Sequence, residues 1–364
     1  MGVLKRRESV DAFRGFTILG MILVNSPGSW EHVYRPLLHA NWNGCTPADL
    51  VFPFFLFIVG VSIVFAYTKY LQKGTSRIQL ARKAFFRTLI LFGIGLSLNI
   101  IMSGFSEIRI PGVLQRIALV YFIGSILFLY LPRWTIILLS LIILFGYWML
   151  LLWVPPPGQA HALLEPGLNI ANWIDFKVIP GHLYRGTWDP EGLLSTLPAV
   201  VTCTTGILAG WLMIKTEEFT KNVKLLLLSG FIFLATGLVW SLVFPLNKNL
   251  WTGSYVFFTS GLGFLFLALF EFLTNAGKKR QWLVIFLAPG HNALSIYIFH
   301  ILLIYPFAIL TISSGNGIQS FFMDFFIGIG LPANFVSLLW AIAYTILCFI
   351  PALILYRKKL LIKV

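Results

Sequence analysis

Charge is what this chain has least of. Only 11% of its 364 residues are charged, with 13 Asp and Glu against 27 Lys and Arg. A soluble domain of that length needs more polar surface to wet its exterior, so a soluble domain is excluded. Cysteine is also scarce. The chain has three, and Cys203 and Cys348 fall inside apolar runs. Three cannot form a fully paired framework, and all three read as unpaired small residues. No His-x₃-His or Cys-x₂-Cys pair is present, and His32, His39 and Asp49 lie close in sequence without a ligand spacing, so no metal is expected. There is no Walker loop. No Asn-x-Ser/Thr acceptor with a permissive middle residue occurs, which fits a bacterial source.

What is abundant is apolar surface: 58% hydrophobic residues and a mean hydropathy of +0.86. A bilayer-spanning helix needs about 20 apolar residues. Ten such runs can be read, at 10–26, 48–70, 84–102, 113–131, 134–154, 191–213, 224–244, 254–274, 291–310 and 334–355. The chain therefore reads as an all-α polytopic membrane protein of about ten transmembrane helices. Lys5, Arg6 and Arg7 before the first run resemble a signal peptide, but no small-residue cleavage site follows, so that run is kept as the first helix.

Basic residues gather in alternate connections, 20 on one side against 5 (Arg35, Arg109, Lys177, Arg185 and Lys248) on the other. The positive-inside rule makes both termini cytoplasmic and turns the His39 loop outward. The net charge of +14 is then topology and not nucleic-acid affinity. Segment 72–87 is basic with an apolar side and is expected to lie along the headgroups. The outer segment 155–190, between spans five and six, is longer than ordinary connections and reads as a folded cap. The chain is taken as one integral-membrane domain over 1–364, in a bacterial inner (plasma) membrane.

Unusual side chains collect on the outer face. Asn25 ends span one, and Glu31, His32, His39, Trp42, Asn43 and Asp49 follow. Arg109, Gln115 and Arg116 flank the start of span four, Asp189-Pro190-Glu191 precedes span six, and Asn247-Lys248-Asn249-Leu250-Trp251 links spans seven and eight. Buried ionisable groups at membrane depth are costly, which directs Arg116, Glu271 and His300 toward the bundle interior or water. Plainer roles compete. Asp189-Pro190-Glu191 is a good helix start, Trp42 suits an interfacial belt, and His300 suits an interhelical hydrogen bond. Cys45 reads as inert. Thr46-Pro47 caps span two better than Asp49 does, which leaves Asp49 free to orient another group. His39 has the weakest plain explanation, standing on no apolar face and in no charge run.

The stretch His39-Ala-Asn-Trp-Asn-Gly-Cys-Thr-Pro-Ala-Asp-Leu-Val-Phe-Pro53 resembles the signature of the heparan-α-glucosaminide N-acetyltransferase family. Five further blocks match in order: Asp11-Ala-Phe-Arg-Gly15, Arg109-Ile-Pro-Gly-Val-Leu-Gln-Arg116, Asp189-Pro-Glu-Gly192, Asn247-Lys-Asn-Leu-Trp251 and Tyr356-Arg-Lys-Lys359. The resemblance implies acetyl transfer across a membrane, from cytoplasmic acetyl-CoA to the amine of an extracytoplasmic glucosamine-type hexosamine, in a homodimer. It makes His39 the active-site histidine and Asn25 the catalytic asparagine.

On that basis His39 either removes the amine proton or carries the acetyl group transiently. Asn25 stabilises the oxyanion, and Asp49 orients the imidazole or holds the sugar ammonium. Trp42, Asn43, Asp189, Glu191 and Trp251 are the candidates for contacting the acceptor, and Arg14, Arg116, Lys73 and Lys358 those for contacting the cofactor. Two alternatives stand beside this one: an amino-sugar transporter, and an O-acetyltransferase of a cell-surface glycan.

Overall fold

The computed structural model describes residues 7–103, 108–216, 218–275, 281–309 and 317–362. Lys5, Arg6, Lys278, Lys279, Arg280 and Lys363, counted above among the basic residues, lie outside the described residues. Regular structure among the described residues is helical. In chain order the helices are α1 (Glu8–Asn25), α2 (Val51–Gln72), α3 (Arg77–Ser103), α4 (Val113–Tyr130), α5 (Arg133–Trp153), α6 (Ile170–Val178) and α7 (Thr196–Lys215). They continue with α8 (Phe219–Ser241), α9 (Gly253–Asn275), α10 (Val284–His291), α11 (Ala293–Ile309), α12 (Ile318–Gly328) and α13 (Ala333–Arg357).

Eight of these helices are long and apolar enough to cross a membrane. A ninth span is broken: residues 281–291 and 293–304 meet at a bend of 77°. Pro289 lies inside α10 and removes a backbone donor just before the break. The expected run 291–310 is thus only the second half of a bent pair. The first expected run is α1, which falls short of a span by the same measure because Glu8, Asp11 and Arg14 sit within its 18 residues. It is nonetheless packed into the bundle, with Ala12, Phe13, Ile18 and Ile22 wholly buried. Segment 72–87 also differs from expectation. After a short turn the chain enters α3 at Arg77 and continues unbroken to Ser103. Its cations extend from the first turns of a long helix, where Arg82, Lys83 and Arg87 lie over the rings of Phe86, Tyr70 and Tyr121. Keeping the hydrogen-bond ladder intact costs less than breaking it to lay one segment flat.

Burial decides which helices form the centre. In α7, 72% of the most apolar stretch is buried inside the protein, against 17% in α8, so α7 is central and α8 faces lipid. The main core packs α1, α2, α7 and α9 through Phe13, Phe54, Phe57, Ala209, Met213, Phe264 and Leu267. α2 and α7 touch backbone to backbone. A Cβ on Gly60 would overlap the Cys203 carbonyl oxygen, and one on Gly206 would overlap that of Phe57. This contact holds α2, and with it the loop before α2, against the bundle.

Gly206→Val should therefore destabilise the protein by about 1–3 kcal/mol, the usual cost of overpacking a core. Gly93→Ala, which meets open space, should leave stability unchanged or raise it slightly, since alanine restricts the unfolded helix. Denaturation in detergent checks both.

Candidate functional site

The loop between α1 and α2 is folded by a carboxylate. Thr46 is the N-cap of the 3₁₀ turn Pro47–Leu50 that leads into α2, and Asp49 is the reciprocal half of its capping box. Thr46 is the N-cap, as expected, and Asp49 joins it in the box while also bonding His39. Asp49 Oδ2 accepts the backbone N–H of Ala40 and of Thr46, each at 3.0 Å. The Thr46 hydroxyl stands 3.0 Å from the same oxygen and 2.7 Å from the Leu38 carbonyl, with one proton for the two. Asp49 Oδ1 meets His39 Nδ1 at 2.8 Å. A carboxylate so placed is ionised and takes the Nδ1 hydrogen, which leaves the His39 lone pair on Nε2. Asp49 is buried, whereas the His39 side chain is 44% exposed.

A residue that sequence reasoning left out of the site completes the group. Lys248 Nζ lies 3.5 Å from Asp49 Oδ1, and 3.1 and 3.3 Å from His39 Nδ1 and Nε2. Burial pushes the Lys248 ammonium below its ordinary pKa, while Asp49 and Glu191 hold it up. Its turn is tightly bonded. Asn247 accepts from Leu250 N at 2.8 Å, donates its own N–H to the Thr252 hydroxyl at 3.1 Å, and reaches Asn43 Oδ1 with its side-chain amide at 3.1 Å. Gly44 N donates to Leu246 O at 2.7 Å, and Tyr255 OH to Asp49 O at 2.6 Å. The readable signal was that Lys248 is one of only five cations on its side of the chain.

The other sequence-selected residues divide. Asn25 ends α1, is exposed, and has no hydrogen-bond partner among the described residues. α1, which Asn25 ends, packs against the 3₁₀ turn that carries Asp49. Trp42 donates to Leu164 O at 2.8 Å and meets Trp188 edge-on, tying the His39 loop to segment 155–190. Asn43 is exposed beside it.

Asp189 is buried and fully engaged. Arg109 bonds it through Nε at 2.8 Å and Nη2 at 2.6 Å, and Tyr184 N and Glu191 N donate to it at 2.9 Å. Glu191 also pairs with Arg109 Nη2. Burial opposes the Arg109 charge, but Asp189 and Glu191 hold the guanidinium above its ordinary pKa. Trp251 has no exposed surface, and its indole N–H goes to the Thr202 hydroxyl at 3.0 Å. It is a core residue under the site, placed there by a backbone φ of 53°.

The cofactor candidates lie apart. Arg14 bonds Asp11 at 2.8 Å, Gly290 O at 3.2 Å and Ser62 Oγ at 2.7 Å, and Lys73 and Lys358 are exposed where α2 and α13 end. Arg116 instead lies at the start of α4, wholly buried, donating to Gly192 O at 2.9 Å and Ser195 Oγ at 2.5 Å. It supports the Asp189 turn and shares no surface with the other three. Among the described residues no group of three or more His, Cys, Asp or Glu is placed to hold a metal ion. Burial and the nearby Asp49 push the Cys45 thiol up to about 12, so it is not a nucleophile. A cavity of about 170 Å³ adjoins Arg109, lined also by Asn99, Gln115 and Tyr297. The Gln115 Nε2 donor is buried there without a partner among the described residues.

Comparison with known proteins bears on this arrangement. Residues 6–169 match the family model described as heparan-alpha-glucosaminide N-acetyltransferase, catalytic. The human heparan-alpha-glucosaminide N-acetyltransferase is 31% identical over 357 residues, an alignment covering 81% of this chain and 52% of that protein. The mouse protein of the same name is 29% identical over 360 residues, covering 81% and 53%. The chain thus spans about half the length of the curated relatives it matches.

Segment 155–190 yields a pH-dependent prediction. Asp175 in α6 is buried and accepts from Leu193 N at 2.7 Å, next to the turn that carries Asp189. Burial, opposed by that bond and by Arg116, raises its carboxyl from 3.8 to about 6. The folded state then binds the proton more tightly than the unfolded one, so stability falls as pH rises through that interval and stays lower above it. Asp175→Asn should raise the melting temperature above pH 6, by at most about 3 kcal/mol of stability, and match the wild type near pH 4. Thermal melts between pH 4 and 8 check this.

Proposed function

Because the chain is homologous to the heparan-alpha-glucosaminide N-acetyltransferases, we propose that it is a transmembrane acetyltransferase. On this reading it moves an acetyl group from cytoplasmic acetyl-CoA to the amine of a hexosamine on the opposite face of a bacterial inner membrane. Both termini are then cytoplasmic, in keeping with the charge asymmetry of the connections, and the working assembly is a homodimer. The observation that carries the reading is the exposed His39 imidazole, with Nδ1 tied to a buried carboxylate, which leaves the ring's lone pair on Nε2.

The chemistry follows from that lone pair. An ammonium cannot attack a thioester, so the acceptor must present a free amine. In direct transfer the amine nitrogen bonds to the acetyl carbon and the carbonyl pair moves onto oxygen. His39 Nε2 takes the proton leaving nitrogen, and the carbon–sulfur bond breaks as the pair returns. The thiolate leaves and takes that proton. In the alternative Nε2 itself attacks and carries the acetyl group to the amine in a second step. Asp49 keeps the ring in the required tautomer in both routes. Asn25, at the open end of α1, supplies an amide donor to the oxyanion. Trp42 and Asn43 border the open face and suit contact with the sugar, and Glu191, paired with Arg109, is the acidic candidate for the same acceptor. Asp189, Trp251 and Arg116 act here as the support beneath those groups. Arg14, Lys73 and Lys358 suit the phosphates of the donor on the basic face.

The bent pair α10–α11 also suits a carrier, since broken helices mark many transport sites. Labelled acetyl-CoA separates the two readings, because a carrier leaves the label on the thioester. An ester product in place of an amide would assign O-acetyl transfer instead.

The purified protein should transfer label from acetyl-CoA to glucosamine. His39→Ala should abolish transfer while keeping the fold and acetyl-CoA binding, and near-normal turnover would remove His39 from the mechanism. Asn25→Ala should lower kcat by about 10²-fold or more and change KM for the sugar much less. The opposite split would make Asn25 a binding residue.

A further inference from the structure

The proposed chemistry needs a positive partner for the carbonyl oxygen, and the turn between α8 and α9 holds one at hand. The Nδ1 hydrogen of His39 goes to Asp49, so the 3.1 Å approach of Lys248 to Nδ1 brings two donors together and satisfies neither. That leaves Lys248 with two acceptors nearby: Nε2 at 3.3 Å and Asp49 Oδ1 at 3.5 Å. Both are long for an ammonium, which carries three donors. The side chain is only 16% exposed, so water supplies little in their place.

We propose that Lys248 is a catalytic residue of this site, the fixed cation that takes the negative charge of the acetyl carbonyl oxygen in the tetrahedral intermediate. The inference rests on the acetyl-transfer reading above. Whichever route operates, the acetyl carbon must come within bonding reach of Nε2 or of an amine hydrogen-bonded to it. Its oxygen then lies within a few ångströms of the Lys248 ammonium. As the nucleophile's bond to carbon forms, the carbonyl pair localises on that oxygen, and as the carbon–sulfur bond breaks the pair returns. Lys248 keeps its protons throughout, and its contact with the carbonyl oxygen, weak in the bound thioester, tightens as the oxyanion forms. An interaction that strengthens only at the transition state raises kcat and leaves binding alone.

Preorganisation favours Lys248 over Asn25 for the larger share of this task. Asn25 is exposed, with its side chain unbonded among the described residues, whereas the Lys248 backbone is fixed by Trp251 N, which donates to its carbonyl at 3.2 Å, and by the Asn247 bonds on its other side. Burial lowers the Lys248 pKa, and Asp49 and Glu191 beside it favour the ammonium form in opposition.

The test uses the whole protein, acetyl-CoA and glucosamine. Lys248→Met should lower kcat by about 10²–10³-fold, the usual loss for one oxyanion donor, with KM for both substrates and the melting temperature unchanged. Lys248→Arg should recover part of the rate. The infrared carbonyl band of bound [1-¹³C]acetyl-CoA should move to higher frequency in Lys248→Met, a readout that a merely structural lysine would not move. If the methionine variant fails to fold, Lys248→Gln, which retains a donor toward Asp49, takes its place. An active wild type whose folded Lys248 variants keep kcat within threefold overturns this assignment alone. A wild type that leaves the thioester intact overturns the acetyl-transfer reading and this assignment with it.

Discussion

A buried carboxylate organises the site. Asp49 has almost no contact with water, and an ionised carboxylate in that position is tolerable only if its lone pairs are satisfied. The chain meets that demand locally. Two backbone N–H groups, a threonine hydroxyl and an imidazole converge on the two oxygens, and a lysine closes the charge. The residues that solve the burial problem also hold the imidazole in one tautomer with one nitrogen outward. Fold and chemistry are here the same set of bonds. Removing Asp49 would release the loop and the histidine together.

A second charge cluster works by the same logic on the neighbouring connection. Arg109 receives two carboxylates, and Arg116 lies buried with one nitrogen bonded to the Asp189 turn. Together these pairs let segment 155–190 fold against the bundle in place of trailing into solvent. His182 contributes its carbonyl to Ile110 N at 3.3 Å, and Trp42 reaches Leu164 O at 2.8 Å. Glu191 belongs to both clusters, since it pairs with Arg109 and its charge favours the Lys248 ammonium against burial.

The bundle was legible because each span is a run of about 20 apolar residues with basic ends, a pattern set by bilayer thickness. α12 was missed since its 11 residues are too short to span, and α10 since Pro289 and Gly290 read as a connection. His39 and Asp49 stood out because ionisable groups are rare here, but their bond to each other depends on a turn that spacing alone does not display. Lys248 was hidden among residues that topology already explains. Trp251 and Arg116 show the converse limit. An aromatic or a cation in a functional block looks like a contact residue, yet both point into the protein and shape the site from below.

The distance between the two faces sets the terms for any donor that arrives from the basic side. α2 places Lys73 at one end and the Asp49 turn at the other, 22 helical residues apart, about 33 Å at the helical rise. α1 offers a shorter path. Arg14 and Asn25 lie eleven residues apart on it, about 16 Å. Arg14 is therefore already well inside the bundle, held by Ser62 of α2 and the Gly290 carbonyl at the end of α10. A cation at that depth is costly in a membrane interior, and Asp11 at 2.8 Å offsets the charge. On the acetyl-transfer reading, a phosphate drawn in as far as Arg14 leaves only the uncharged arm of the donor to traverse the remaining half of α1. The charges on α1 that keep it from being a simple apolar span are then what shorten the route to Asn25 and His39.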